Sequence, residues 1–380
     1  MEFRCPKADL LASVQIASRA VPSTTVEAAL LNVLLSLEDG QLTLFATDNR
    51  LSLRHVMTVE QESGGRVAIL GHLLLDILQG LQTSRSAQVH VKMTAENRVV
   101  LTSADAVYNI AGFSAESFPL VVELTPKTTF TLGSNLLKEM IRKTIVVSSP
   151  GGGGLQTYEE VFVECKKGEL SFVATDSVRL AIRTTQVSGG PLSGGATVRE
   201  LPEFHCLVPS HALAELARTL KPDTDVNVTL SDDQASFAFG SSELRTRLSD
   251  KTFPNFRTIL PKVQSRNLKL RTKEFQDNLR GVIPLAKDTK NKIFVDFEKE
   301  KVVITSTSPE LGEARREVET ELSGEPIRLA FNGKYLLDFL SVVDSESFRW
   351  GVSSSSYPAT LTPDAEDAGY TYILMPITHY

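Results

Sequence analysis

The 380-residue sequence predicts an α+β protein of three similar units, each with two helices packed on antiparallel β-sheets. Three observations carry this prediction. A strand motif recurs at a fixed spacing, two helix patterns recur in phase with it, and Phe-Pro segments separate the copies.

The strand motif is clearest in its first two copies. Residues 38–48 read EDGQLTLFATD and residues 166–176 read KKGELSFVATD, an offset of 128 residues. A charged turn with glycine leads into alternating apolar and polar residues, as a half-buried strand requires, and ends on Ala-Thr-Asp. A weaker third copy, EKVVITSTS, occupies residues 300–308. The Thr-Asp ending is turn chemistry, because an aspartate there accepts backbone N–H groups.

Each strand copy follows an amphipathic helix, at residues 7–21, 133–148 and 271–287. Leu10, Val14, Ala17 and Val21 share one face of the first. Leu136, Leu137, Met140 and Ile141 do so in the second, and Phe275, Leu279 and Val282 in the third. A second helix type also appears three times: GHLLLDILQGL at 71–81, SHALAELARTL at 210–220 and GKYLLDFLSVV at 333–343. Its copies carry an acidic residue at the same place, Asp76, Glu215 and Asp338.

FPLV (118–121) and FPNFRTILP (253–261) read as transitions or linkers, since proline limits helix and central-strand structure. They divide the chain into units 1–127, 128–264 and 265–380, each of ordinary domain size. The tracts SPGGGG (149–154) and VSGGPLSGGATVRE (187–200) read as flexible loops.

Composition narrows the function. A hydrophobic content of 42% and a charged content of 23% are those of a globular protein. No apolar run approaches the ~18–20 residues that span a bilayer. Residues 1–11 carry Glu2, Arg4, Lys7 and Asp9 and no signal-peptide core, so the expected location is cytoplasmic, with no membrane partner. Cys5, Cys165 and Cys206 lie far apart, which argues for free thiols and against a disulfide framework or a cysteine-based zinc site.

No chemistry assembles around the remaining motifs. The histidines include no i, i+4 pair, and His205-Cys206 lacks a third ligand or an orienting acid. Gly151–Gly154 lacks the GxxxxGK[ST] pattern of a phosphate loop. Asp48 and Asp176 are the best carboxylate pair, yet they fall in different units. The expectation is a non-enzymatic protein that holds partners, with no catalytic residue, metal or cofactor.

The charge is unevenly spread. The helical windows 7–21, 71–86, 133–148, 210–221, 271–287 and 333–343 carry +1, 0, +2, +1, +2 and 0, together +6, while the whole chain carries −6. The remainder therefore carries −12, so the helices are basic and the sheets and loops acidic. Arg19, Lys138, Arg142, Arg218 and Arg280 lie off the apolar stripes of their helices. This segregation favours a surface that meets phosphates, and the lack of interleaved aromatics favours sequence-independent contact with double-stranded DNA over base stacking. A modest charge implies weak, salt-sensitive binding, so retention would require enclosure.

At this level of detail the chain resembles the bacterial DNA polymerase III beta subunit family, the beta sliding clamps, over nearly its whole length. The resemblance rests on LLNVLLSLEDGQLTLFATD (30–48), FVATDSVRLAI (172–182), FPNFRTILP (253–261), FNGKYLLDFL (331–340) and YILMPITHY (372–380), taken together and in order. It implies the DNA clamp fold: a three-domain protomer that forms a head-to-tail homodimer, closed as a ring around duplex DNA. Such a ring is a processivity factor that tethers the replicative polymerase. It also implies a pocket between the second and third domains that receives peptides from the DNA polymerase III alpha subunit, the clamp loader and other clamp-binding-motif proteins.

By motif match the pocket comprises Thr175, Ser177, Val178, Arg179, Leu180, Pro254, Ile259, Ile373, Leu374, Met375, Pro376 and Ile377. An apolar cleft with methionine as an adaptable filler suits many related peptides. Tyr108 and Leu285 fall at the dimer seam. The chain departs from the family at Ser177-Val178, where Gly-His or Gly-Tyr is common. It departs again at Thr258, where a second arginine is common, and at Thr24, which stands for a DNA-meeting arginine and leaves Arg19 nearest. The alternative is a repeat-built protein-interaction scaffold that does not encircle DNA.

Overall fold

The computed structural model describes residues 1–380 except 82–86, 95–96, 105, 120–123, 149–158, 188–200, 365–368 and 379–380. The glycine-rich tracts expected as loops fall outside the described residues apart from Val187, as do 120–121 of the first Phe-Pro segment and 379–380 of the C-terminal motif.

Six α-helices occupy the predicted windows: α1 (Lys7–Ala17), α2 (Gly71–Gly80), α3 (Ser134–Ile145), α4 (Ser210–Thr219), α5 (Thr272–Val282) and α6 (Gly333–Val342). Two, α1 and α5, end four and five residues short of their windows, and proline is the reason in both. After α1 the chain tightens into a 3-10 turn, Ser18–Ala20, and Pro22 then holds Val21 extended at φ −80° and ψ 120°. After α5, Pro284 has no N–H to offer the Arg280 carbonyl, and the chain continues as a 3-10 segment, Ile283–Thr289. Among the described residues no helix is long and apolar enough to cross a membrane.

The chain divides into two compact units. The first comprises Met1–Asn135 and Arg218–Leu248; the second comprises the described residues of Leu136–Gly190, Arg199–Ala217 and Ser249–Tyr380. Among the described residues the strands of both pair antiparallel.

In the first unit a five-stranded sheet runs in the order Glu60–Ser63, Glu2–Pro6, Gln88–Met93, Arg98–Ser103, Ala106–Ala111. An eight-stranded sheet runs Thr128–Gly133, Asp225–Leu230, Gln234–Phe239, Ser242–Arg247, Leu51–Thr58, Gln41–Thr47, Asn32–Glu38, Gly65–Leu70. α1 packs on α2 and on the strands Gln41–Thr47 and Leu51–Thr58. Leu10, Val14, Leu42, Leu44, Leu53 and Leu78 are all at most 1% exposed. Burying each such side chain is worth about 1.5–3 kcal/mol.

In the second unit an eight-stranded sheet runs Phe204–Pro209, Glu160–Lys166, Glu169–Thr175, Arg179–Gln186, Tyr370–Leu374, Ala359–Pro363, Ser347–Val352, Arg266–Arg271. A four-stranded sheet runs Gly312–Glu319, Lys301–Ser308, Lys292–Phe297, Ile327–Asn332. α5 packs on α6 and on strands of both sheets. The single tryptophan, Trp350, is fully buried against Phe275, Phe297 and Phe331, with ring centroids 5.5, 5.0 and 5.3 Å away.

The repeats are therefore three, but they are not separate bodies. Ser242–Arg247 pairs with Leu51–Thr58, and Arg179–Gln186 pairs with Tyr370–Leu374, so each eight-stranded sheet joins strands from two successive repeats. Joining the edges satisfies backbone N–H and C=O groups that separate sheets would leave open. The Phe-Pro segments are not plain linkers either. Phe118 and Phe256 are 5% and 6% exposed and sit in apolar clusters beside these junctions.

Candidate functional site

The site begins with a turn. Thr175 closes the strand Glu169–Thr175, and its hydroxyl donates to the Arg179 carbonyl at 2.8 Å. The Asp176 carboxylate accepts from the backbone N–H groups of Val178 and Arg179 at 3.0 and 2.9 Å. Ser177, between them, is in the left-handed region at φ 74°. The Thr-Asp ending thus performs the turn chemistry expected of it, and the turn launches the strand Arg179–Gln186.

That strand pairs with the C-terminal strand Tyr370–Leu374 in a register that sets Arg179 opposite Leu374 and Leu180 opposite Ile373. Met375 carries the ladder one step further by donating to the Val178 carbonyl at 2.9 Å. Ile377 then donates to the Ala330 carbonyl at 2.8 Å. Backbone bonds thus join distant segments of sequence here.

Beneath the junction lies an apolar cluster of Val173, Leu180, Phe256 and Ile373, flanked by Phe162, Ile182, Phe253 and Leu260. Phe162 stacks on Phe253 at 5.3 Å, and Phe253 meets Phe256 edge-on at 6.3 Å. Pro254 makes the bend: its carbonyl accepts from the Phe256 N–H at 2.7 Å, and the 3-10 turn Phe256–Thr258 follows. Ile259 caps that turn and is half exposed, at 50%. Arg257 pairs with Glu164 and lies over the Phe256 ring at 4.6 Å.

The structure thus brings the three predicted segments to one junction and sorts their residues. Ser177 and Ile259 are exposed, and Val178, Pro254, Met375 and Ile377 are half-buried, which makes them the accessible edge. Thr175, Leu180, Ile373, Leu374 and Pro376 are buried and support it.

Arg179 is placed differently from the rest. Its guanidinium points inward, donating to Asp176 at 2.9 Å, Asp338 at 2.5 Å and the Tyr372 hydroxyl at 3.2 Å, and it stacks on Tyr335 at 4.0 Å. Burial disfavours its charge, but Tyr372, Asp338 and Asp176 outweigh that and keep it protonated. Arg179 thus ties the turn to α6 from behind the accessible edge.

Asp338 was visible in sequence as the acidic position shared by the second helix type, without a role until Arg179 arrives from another repeat. Phe162, Phe253, Tyr335 and Tyr372 gave no signal of this kind. Alternation marks Phe162 and Tyr372 only as strand residues, while Tyr335 lies on α6 and Phe253 precedes Pro254.

The predicted basic residues sit on or just after their helices. Arg19, Arg218 and Arg280 are exposed, and Lys138 and Arg142 are half-buried. Arg142 pairs with Asp344, and Arg280 lies 3.8 Å from Asp277. Arg142, Arg218 and Arg280 occupy last turns, where the helix dipole also favours cations. Lys143 is different: it is fully buried and bonded to Glu139 at 3.0 Å, so its charge belongs to the interior. Tyr108 lies half-buried on the edge strand Ala106–Ala111, and Leu285 half-buried in the 3-10 segment after α5.

The thiols fit an inert role. Burial, together with the nearby Asp9, pushes the Cys5 thiol up to about 12, far from nucleophilic use. Glu2, Glu62 and His90 converge, but Lys92 and Arg4 already serve Glu2 and Glu62 as counter-ions.

Comparison with known proteins covers the chain from end to end. Family models match in order: the N-terminal domain of the DNA polymerase III beta subunit at residues 1–122, its central domain at 131–255 and its C-terminal domain at 257–378. The chain is 28% identical to the beta sliding clamp of Synechococcus elongatus, with 99% of each chain covered. It is 25% identical to that of Halalkalibacterium halodurans, with 100% of each covered. Its fold is similar to the DNA polymerase sliding clamps of Pseudomonas aeruginosa (TM-score 0.88, 23% identity) and Bacillus subtilis (TM-score 0.89, 22% identity), both over 100% of each chain. It is equally similar, at TM-score 0.90 and 23% identity over 100% of each chain, to the Bartonella birtlesii DnaN sliding clamp bound to griselimycin. With the family's three domain models matched in order along it, the chain belongs to the DNA polymerase III beta subunit family, the beta sliding clamps.

Proposed function

We propose that the chain acts as a DNA sliding clamp: a non-catalytic processivity factor that encircles duplex DNA and tethers the DNA polymerase III alpha subunit. The observation that carries this reading is the sheet continuity at the repeat junctions. Strand ladders join neighbouring repeats into continuous sheets, and a closed ring needs such walls rather than beads on a string.

The ring is a head-to-tail homodimer of domains bounded near 127 and 264. Its seam uses the edge strand Ala106–Ala111, where Tyr108 sits beside Val107, 61% exposed, together with Leu285. An edge strand left open in one chain is a natural place for a second copy to pair. The helix arginines meet phosphates without reading sequence, and enclosure supplies the retention that a few charges cannot. The junction of Leu180, Pro254, Ile259, Ile373 and Met375 receives the linear motifs of the polymerase, the clamp loader and other partners in the cytoplasm.

The test is topological. Once loaded, the protein should stay on a circular plasmid and leave when the plasmid is linearised, and its solution mass should be roughly twice the 41.6 kDa of one chain. Equal loss from both plasmid forms would sink the enclosure mechanism.

A further inference from the structure

The turn that builds the junction of the second unit is built again in the first. Thr47 donates to the Leu51 carbonyl at 2.8 Å, as Thr175 does to that of Arg179. The Asp48 carboxylate accepts from the N–H groups of Arg50 and Leu51 at 2.8 and 2.6 Å, as Asp176 does from Val178 and Arg179. Asn49 is left-handed at φ 70°, as Ser177 is at 74°. The neighbouring strand follows suit: Thr246 lies opposite Leu51, and the Arg247 N–H donates to the Arg50 carbonyl at 2.9 Å, matching Met375 and Val178. Phe118, preceding Pro119, meets Phe45 edge-on at 5.8 Å, in the place of Phe253 and Pro254.

The frame is the same and the side chains are not. Arg50 stands where the second junction has Val178, Ser52 where it has Leu180, Arg245 where it has Ile373 and Arg247 where it has Met375. Here the frame opens into a cleft of about 140 Å³ whose lining includes Phe45, Leu51 and Pro119, these arginines and one carboxylate, Asp233, which accepts from the Ser231 hydroxyl at 3.1 Å. Arg245 is bonded to Glu243 at 2.6 Å. Arg50 and Arg247 are exposed, and neither guanidinium pairs with a carboxylate among the described residues. In a chain of net charge −6, two such arginines on one cleft are charge without an internal use.

We propose that this cleft is a second docking site, for a short acidic peptide segment that sets one apolar side chain against the half-buried Pro119, over the buried Phe45 and Leu51, and sets flanking carboxylates against Arg50 and Arg247. The small volume suits a single side chain and is well below that of a cofactor pocket. Guanidinium forks match carboxylates in geometry as well as charge. Single-stranded nucleic acid fits less well, because the lining phenylalanine is only 6% exposed and offers no face for base stacking. The peptide class rests on the proposed use of the equivalent junction in the second unit; the anionic preference rests on the first unit alone.

The experiment uses the full chain and a fluorescein-labelled peptide with two glutamates on either side of one leucine, read by anisotropy. The expected result is saturable binding that survives removal of residues 375–380 and weakens at least about tenfold in the R50E/R247E variant. It should weaken likewise when the glutamates of the peptide are replaced by glutamine. An unchanged melting curve for R50E/R247E certifies the fold, both arginines being exposed. No saturation up to about 1 mM overturns the proposal, as does equal affinity for R50E/R247E. Binding lost with residues 375–380 overturns it by placing the peptide at the other junction. Tighter binding of an oligo-dT strand to the same arginines overturns the peptide assignment. Plasmid retention tests the clamp reading separately, so either can fail alone.

Discussion

The Arg179 Nε donates to the Asp176 carboxylate at 2.9 Å with the two side chains only 3% and 2% exposed. Asp176 holds the turn through its other oxygen, and Arg179 reaches on to Asp338 of α6. A buried ion pair of this kind contributes little net stability over an apolar substitute, but breaking it is costly because a charge is stranded.

Arg179→Ala should therefore destabilise the second unit by about 3–5 kcal/mol. Urea unfolding followed by the emission of Trp350, the single tryptophan, measures this. Arg179→Lys, which keeps the charge and loses the fork, should fall between the two. A loss below about 1 kcal/mol for Arg179→Ala, the scale of a surface pair, would show that the network is not holding the junction.

Removing residues 375–380 deletes the backbone bonds from Met375 to Val178 and from Ile377 to Ala330. Two peripheral hydrogen bonds are worth about 0.5–1.5 kcal/mol each, so the fold should survive. Affinity for clamp-motif peptides should drop at least about tenfold, since Met375 and Ile377 of the accessible edge go with the tail. Calorimetric titration of the peptide against both chains decides it, and unchanged affinity would remove the tail from the site.

Replacing Arg142 and Arg280 with glutamate should weaken DNA contact and reduce the slope of log K against log salt by about one per charge lost. Arg142→Glu also sets a carboxylate beside Asp344, a surface effect of at most about 1 kcal/mol. A salt slope identical to that of the unaltered protein would mean that these side chains do not meet phosphates.

Burial, with the charge of Lys221, holds the His55 imidazole below its ordinary value of 6.5. The ring bonds to the Ser242 hydroxyl at 2.8 Å across the strand junction. The unfolded chain takes up a proton near 6.5 while the folded chain resists it, so stability is full above that pH and falls as pH drops through it. Denaturation at pH 7.5 and 5.5 should show a smaller loss for His55→Gln than for the unaltered chain. An equal loss would place the pH response elsewhere.

Local chemistry was legible from the residues alone. Helix windows followed from the 3.6-residue spacing of Leu10, Val14 and Ala17 and its repeats, and strands from alternation. The turns at Asp48 and Asp176 followed from the reach of an aspartate to the N–H groups two and three residues on. The family followed because several such motifs stand in order.

Only the tertiary structure decided which strands share a sheet. Nothing in the alternation of Leu51–Thr58 says that its partner is Ser242–Arg247, nearly two hundred residues away. Alternation sets which face a residue takes and is silent about the neighbour across the ladder. For the same reason nothing in the sequence announced the contacts that Phe162 and Tyr372 make at the junction, or that Arg179 is buried. Burial is a property of what arrives from elsewhere in the chain, and here Asp338 and Tyr372 arrive from another repeat to enclose it.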